Sequence, residues 1–252
     1  MRRHELSDEE WSIIARLLPN NSRGVARVDD RRVINGILWR FRTGSSWRDV
    51  PERYGPRTTL YNRFSRWRGA GVWDRLLEGV SKAYDGGIVM IDSSCVRVHQ
   101  HGAGAKKGGS ADPCMGRSRG GLTTKIHALV DAEGRPLRIE LTAGQDGDAP
   151  IATRLLEAVV SGTTVLADKA YDTDGIRAFL TDRGAWPNIP PRSTRKATFS
   201  FSRWVYRQRN LIERFFYRLK QMRGIATRYD RRADNFLAAI KLAAVRIWIN
   251  AK

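Results

Sequence analysis

Cysteine is scarce in this chain: its 252 residues contain two, Cys95 and Cys114. Two thiols make no disulfide framework and fit a reducing compartment. Long apolar runs are missing as well. Nothing approaches the roughly 20 residues of a membrane helix, and the opening Met1-Arg-Arg-His-Glu-Leu-Ser7 has no signal-peptide core. A soluble, cytoplasmic protein without a membrane partner is expected. Nucleotide fingerprints are also absent. Gly102-x-Gly104 is not followed by Gly at the dinucleotide spacing, and Gly108-Gly109-Ser110 lacks the Lys of a P-loop, so no nucleotide cofactor is expected. Cys95, His99, His101 and Cys114 have a zinc-like composition, but their spacing matches no regular zinc module. No internal repeat is visible.

Acid is scarce at one end of the chain. The net charge of +19 is uneven: residues 1–85 carry +6, residues 86–191 balance 12 cations with 12 acids, and residues 192–252 set 16 cations against 3 acids. A neutral middle followed by a basic end implies an acid-containing site flanked by a polyanion-binding surface. Arg supplies 36 of the 45 cations, and its planar fork suits phosphate. A GC-rich genome would also raise Arg over Lys, but it would not cluster the cations.

Hydrophobic residues make up 41% of the chain, enough for a real core. Ser7-Asp-Glu-Glu10 reads as a capping box ahead of a helix with Trp11, Ile14, Leu17 and Leu18 on its apolar face. A second helix starts near Asp29; after a turn at Gly44-Ser-Ser a short helical segment, Trp47 to Tyr54, is followed by Gly55-Pro56 and a third helix from near Thr58. In the third helix Leu60, Phe64 and Trp67 face inward, while Arg63, Arg66 and Arg68 are expected outward. The short segment and the third helix, joined through a tight Gly/Pro turn and the second with a basic face, resemble a helix-turn-helix, and Arg63 and Arg66 become candidate DNA contacts. The bland alternative is a three-helix bundle with a solvated Arg face.

After Gly86-Gly87 the character changes. Ile88-Val-Met-Ile-Asp92 reads as a buried strand ending in an acid. A Gly-rich basic loop spans 99–121, with Lys106, Lys107, Arg117 and Arg119 as candidate DNA contacts. A hairpin turns at Asp131-Ala-Glu-Gly134. Helix 149–160, strand 163–167 ending at Asp168, helix 173–183, strand 186–189, a basic linker, a long helix and a last helix 235–249 complete the pattern. Two domains are expected: 1–85, helical and helix-turn-helix-like, and 86–252, a ribonuclease-H-like mixed α/β sheet flanked by helices.

Asp92 and Asp168 each end an apolar strand, where ligands collect in open α/β sheets. Each either caps a turn or binds a cation. Asp146 and Asp148 lie between a strand and a helix, where capping is the default, and Asp172 and Asp174 favour a helix start. The long helix carries a lone carboxylate, Glu213. At 100° per residue, Tyr206, Arg209 and Lys220 fall within roughly 40° of it on an α-helix. Three acids among phosphate-binding cations call for a hard ion such as Mg²⁺, with Mn²⁺ as a substitute. Two such ions suit phosphodiester chemistry.

These residues resemble the DDE transposases of bacterial insertion sequences, most closely the insertion sequence five family. The signature Y-x2-R-x3-E-x6-K is met by Tyr206, Arg209, Glu213 and Lys220. Val89-Met-Ile-Asp92-Ser-Ser and Leu166-Ala-Asp168-Lys-Ala-Tyr171-Asp172 match the contexts of the two catalytic Asp residues, and the resemblance runs essentially from end to end. It implies that Asp92, Asp168 and Glu213 are catalytic and hold two Mg²⁺. It implies that Arg209 and Lys220 neutralise phosphates, and that Tyr206 contacts a terminal nucleotide. Tyr206 could instead be a half-buried helix aromatic, and Arg209 could form an i,i+4 pair with Glu213. Double-stranded DNA, both element ends and target, is the implied partner, bound by a homodimer at the bacterial nucleoid. A non-catalytic DNA-binding regulator, or a domesticated derivative, is the alternative.

Overall fold

The computed structural model describes residues 4–19, 28–103 and 112–250. In chain order come α1 (Asp8–Ala15), α2 (Asp30–Thr43), α3 (Arg57–Gly69), α4 (Val72–Ser81), β1 (Ile88–Val98), the single turn α5 (Gln100–Ala103), β2 (Gly116–Ser118), β3 (Gly121–Asp131) and β4 (Pro136–Ala143). Then follow α6 (Ala149–Leu156), β5 (Thr164–Leu166), α7 (Asp174–Asp182), β6 (Trp186–Asn188), α8 (Arg203–Tyr206), α9 (Asn210–Lys220), α10 (Arg223–Ala226) and α11 (Ala233–Ile249). Among the described residues no helix is long and apolar enough to cross a membrane.

The chain divides into two compact units. The first comprises residues 1–80, 98–112 and 218–252. Its first helix starts as the sequence indicates: the Ser7 hydroxyl accepts from the Glu10 amide, and the Glu10 carboxylate accepts from the Ser7 amide. Asp29 caps α2, which ends at Gly44 in the left-handed conformation (φ 74°). Two 3₁₀ turns, Trp47–Asp49 and Glu52–Tyr54, lie between α2 and α3. The apolar faces of α2 and α3 meet in a cluster of Phe41, Trp47, Phe64 and Trp73, with ring centroids 5.6–6.4 Å apart in the contacting pairs. Gly36 permits a close crossing, since a Cβ there would stand 2.8 Å from the Tyr54 Cβ. The buried face of α11, including Phe236, Ile240 and Val245, packs on α1, α2 and α3. The last helix therefore shares a core with the first three, because it is too apolar to stand in water.

One expectation for α3 is corrected here. Arg63 does not point outward: it is buried, ion-paired with Asp30 and stacked 5.3 Å over Trp67. Burial of a guanidinium is tolerable because the carboxylate compensates its lost hydration. Arg68 is half-covered, hydrogen-bonded to Asn235 and 3.5 Å from Asp234. Arg66 remains exposed.

The second unit comprises residues 81–97 and 113–217. Its sheet is mixed. β1 pairs antiparallel with β3 from Val89↔Asp131 to Arg97↔Thr123, and β2 and β4 share the far edge of β3. On its other side β1 pairs parallel with β5, and β5 with β6. The strand order is thus β2/β4–β3–β1–β5–β6. Val89, Met90 and Ile91 are fully buried because β1 is central and covered on both faces. Helix α6 packs on β3 and β4, and α7 on β6. The expected hairpin turns at Asp131, whose Oδ1 accepts from the amides of Glu133 and Arg135.

Two local expectations change in this unit. The Gly-rich stretch is not loop throughout: 116–121 forms a tight hairpin, with Arg117 of β2 opposite Leu122 of β3. A three-residue strand among glycines carries too little apolar alternation to be read from sequence. The long helix around Glu213 is also interrupted, by a 3₁₀ turn at Arg207–Arg209 between α8 and α9. That turn advances about 120° per residue instead of 100°, so the angles expected for Tyr206 and Arg209 shift.

Candidate active site

Register brings the two aspartates together. Met90 of β1 lies opposite Leu166 of the parallel strand β5. Asp92 and Asp168 each come two residues later, so both project to the same face of neighbouring chains about 4.8 Å apart. Asp92 accepts from the Ser93 amide at Oδ1 (2.8 Å) and from Arg209 Nη1 at Oδ2 (2.6 Å). Asp168 caps the 3₁₀ turn Lys169–Tyr171 through the Ala170 amide (2.8 Å).

Glu213 reaches this group through a cation. Arg209 holds Asp92 with one nitrogen and donates the other to Glu213 Oε1 at 3.2 Å, so the i,i+4 pair and the contact to Asp92 coexist. Gly134 sets the start of α9: a Cβ there would stand 2.9 Å from the Leu211 carbonyl, so the β3–β4 turn sits directly against the helix. Ile212, Phe215 and Phe216 bury the other side of α9, leaving the Glu213 side chain 63% exposed. Among the described residues, no three His, Cys, Asp or Glu side chains gather around one point in this conformation. Asp92 and Asp168 are neighbours, and Glu213 is tied to them by Arg209.

The charges explain this arrangement. Burial raises the pKa of Asp92; Arg209 and the Ser93 amide oppose the rise, while Asp168 and Asp148 add to it. Burial lowers that of Arg209, but Asp92, Tyr206, Glu213 and Asp168 outweigh it and the net shift is upward. The two shifts pull opposite ways on one pair. Both Asp92 oxygens accept N–H bonds, so the group is held as a carboxylate, and its raised pKa expresses how strongly burial beside other acids opposes that charge. Such acids gain from any further cation.

The remaining candidates are dispersed. Tyr206 is half-buried, its ring against Phe201 (5.2 Å) and 6.0 Å from the Arg209 guanidinium carbon. Lys220 occupies the last position of α9. Arg117 and Arg119 are exposed on the β2–β3 hairpin. Lys106 and Lys107 lie outside the described residues.

Several residues near the site escaped the sequence reading. Asp148 does not cap α6; its Oδ1 accepts from Ser93 Oγ and Lys125 Nζ, both at 2.9 Å. Tyr171 is fully buried, and its hydroxyl has no hydrogen-bond partner among the described residues. Burial first, then Asp148, Asp92 and Asp168, drive its pKa far upward. Asp172 does not start α7, whose cap is Thr173. It is buried, accepting from Arg177 Nε, Arg195 Nε and the Arg192 amide, each at 2.7 Å. Phe199 lies beneath Arg177 and Arg195, 4.0 and 5.0 Å from the guanidinium carbons. The basic linker is therefore anchored mainly on Asp172, with Asp174 also accepting from Arg195 Nη1 at 2.6 Å. The only visible hint was Asp172 itself, four residues after Asp168.

A mixed sheet of this order, with Asp92 inside its central strand β1 and Asp168 just past the parallel neighbour β5, defines a ribonuclease-H-like α/β unit. The chain belongs to the transposase DDE domain family, which matches residues 83–248. Residues 6–77 match a second family, described as "Putative transposase of IS4/5 family". A relative from Brucella ovis, "Putative transposase for insertion sequence element IS6501", is 40% identical over 129 residues, covering 51% of this chain and 99% of that protein. The "Putative transposase for insertion sequence element IS402" of Burkholderia cepacia is 32% identical over 139 residues, 50% of this chain and 63% of its own. Among solved structures, the piggyBac transposase in a synaptic complex with hairpin DNA aligns with a TM-score of 0.54 and 13% identity, covering 95% of this chain and 70% of that one. At that identity the likeness concerns the fold. The protein is a transposase.

Proposed function

We propose that this transposase binds the inverted-repeat ends of its element as double-stranded DNA, cuts them, and joins them to target DNA. Asp92, Asp168 and Glu213 would hold divalent ions, two Mg²⁺ with Mn²⁺ as a substitute. The observation that carries this reading is the Arg209 bridge, which links Glu213 to Asp92 beside Asp168 although the two acids are 121 positions apart in sequence. The donors fit hard ions: they are carboxylate oxygens, and the most exposed of them, Glu213, is held by one long hydrogen bond and can rotate inward. Bound ions would supply an activated attacking oxygen and stabilise the leaving one.

The protein's own groups supply the rest. Arg209 keeps the acids from repelling one another before substrate arrives, and its guanidinium can turn to a phosphate once that charge is otherwise balanced. Lys220 adds a cation on the same helical face about two turns further on, and Tyr206 offers an aromatic surface to a terminal nucleotide. Arg66 on α3 and Arg117 and Arg119 on the hairpin would grip backbone phosphates. Residues 1–85 would serve recognition and 86–252 chemistry, as a dimer on paired ends at the cytoplasmic nucleoid.

The test is incubation with the element's own ends and Mg²⁺ or Mn²⁺. Glu213→Gln and Asp92→Asn should lose cleavage while DNA affinity is retained. Cleavage at wild-type rate by either variant would remove that residue from the site. A wild-type protein that binds the ends and never cuts them would favour a DNA-binding regulator.

A further inference from the structure

We propose that Asp148 is a positioning residue for Asp92, acting through Ser93. This rests on the reading of Asp92 as a metal-binding carboxylate. Side chains alternate along a strand, so Ser93 projects from the face of the sheet opposite to Asp92. There its hydroxyl donates to Asp148 Oδ1 at 2.9 Å, while its amide donates to Asp92 Oδ1 at 2.8 Å. One residue thus couples the two carboxylates.

Asp148 is itself firmly held. Lys125 Nζ donates to it at 2.9 Å and to the Asp146 carbonyl at 2.5 Å, and the two charged side chains are only 13% and 20% exposed. Lys125 and His127 stand on β3 opposite Cys95 and Ser93, so the cluster ties the middle of β1 to its neighbour. His127 Nε2 pairs with Thr142 Oγ1 at 2.8 Å, and its Nδ1 lies 3.8 Å from Asp148. Asp148 occupies the N-cap place of α6 yet makes no side-chain cap bond, so its carboxylate serves Ser93 and Lys125 instead. With Lys125 balancing its charge, Asp148 steers Asp92 without competing for ions. Arg209 holds one oxygen of Asp92, and the Ser93 relay fixes the other.

The experiment measures Mn²⁺ binding to the full chain without DNA, by calorimetry or by the spin resonance of the free ion. DNA affinity and thermal midpoint are measured on the same samples. Asp148→Ala and Ser93→Ala should each weaken Mn²⁺ binding about tenfold or more, the range seen when outer partners of metal ligands are removed. The double variant should be no worse than either single one, with DNA affinity unchanged. Asp148→Asn, whose amide oxygen still accepts from Ser93, should restore most of the affinity. If Asp148→Ala does not fold, Ser93→Ala carries the test, because it removes one small hydroxyl. Wild-type Mn²⁺ affinity in Ser93→Ala, while Asp92→Ala has lost it, would overturn the relay and leave the site reading standing. Wild-type binding by Asp92→Ala would overturn both.

Discussion

Asp172→Asn is the substitution whose consequence can be worked furthest from the structure. It keeps the shape of the side chain and removes its charge. Asp172 is fully buried and receives two guanidinium hydrogen bonds and one amide bond, all at 2.7 Å. Burial by itself would raise its pKa, but the Arg192 amide, Arg195 and Arg177 outweigh that and hold it below the usual carboxylate range. The variant leaves Arg177, itself buried, facing a neutral amide. Removing one partner of a buried pair costs about 3–5 kcal/mol. Arg195 lies nearer solvent and keeps Asp174 at 2.6 Å, so the low end, about 3 kcal/mol, is expected. For a chain of this size that corresponds to a fall of about 6–12 °C in thermal midpoint, read by calorimetry or circular dichroism. The pH dependence gives a second signature. A carboxylate with a depressed folded pKa stabilises above its unfolded value, near 4, and that contribution disappears as pH falls through the folded pKa. The gap between wild type and variant should therefore be full at neutral pH and close in strong acid. A midpoint unchanged at pH 7, or a gap that widens on acidification, would refute the reasoning. Because the same carboxylate anchors the linker preceding Tyr206 and Arg209, DNA affinity should fall as well.

Further outcomes follow from other sites. His127 is buried and its pKa is lowered to about 4, first by burial, with Lys125 adding to it and Asp148 and Asp146 opposing it. The unfolded chain therefore binds a proton below about pH 6.5 that the folded one refuses, and stability should fall by about 1.4 kcal/mol per pH unit down to that value. His127→Gln should flatten this limb of a stability-against-pH curve, and an unaltered slope would contradict it. Gly36→Ala should destabilise by about 1–3 kcal/mol, since its Cβ meets that of Tyr54 at 2.8 Å; equilibrium denaturation would reveal a neutral effect if the helices can part. DNA affinity should drop by about 10³ or more between 50 and 200 mM salt if six or more phosphates are contacted. A nearly flat titration would argue against an extensive backbone interface.

Local chemistry made much of this protein legible in its sequence. The capping box at Ser7, the hairpin at Asp131–Gly134, the buried start of the central strand and the apolar side of α9 all depend on neighbours within a few positions; that strand does not end at Asp92 but runs on to Val98, because pairing with β3 continues to Arg97. Periodicity and turn preference report such neighbours directly. The acidic motifs around Asp92, Asp168 and Glu213 were visible for the same reason, each as a short string.

Pairings across the chain were decided only by tertiary structure. Arg63 and Arg66 look alike in sequence, yet one is buried on Asp30 while the other meets solvent, because α2 covers one side of α3. Asp148 and Asp172 looked like helix caps, but a carboxylate takes the strongest donors within reach, and Lys125, Arg177 and Arg195 arrive from distant segments. Arg209 was read as a phosphate-binding cation or a partner of Glu213; its bond to Asp92 follows from how α9 lies on the sheet. Propensity acts over one or two turns of chain, whereas charge compensation in a dry interior acts over whatever the fold brings within 3 Å.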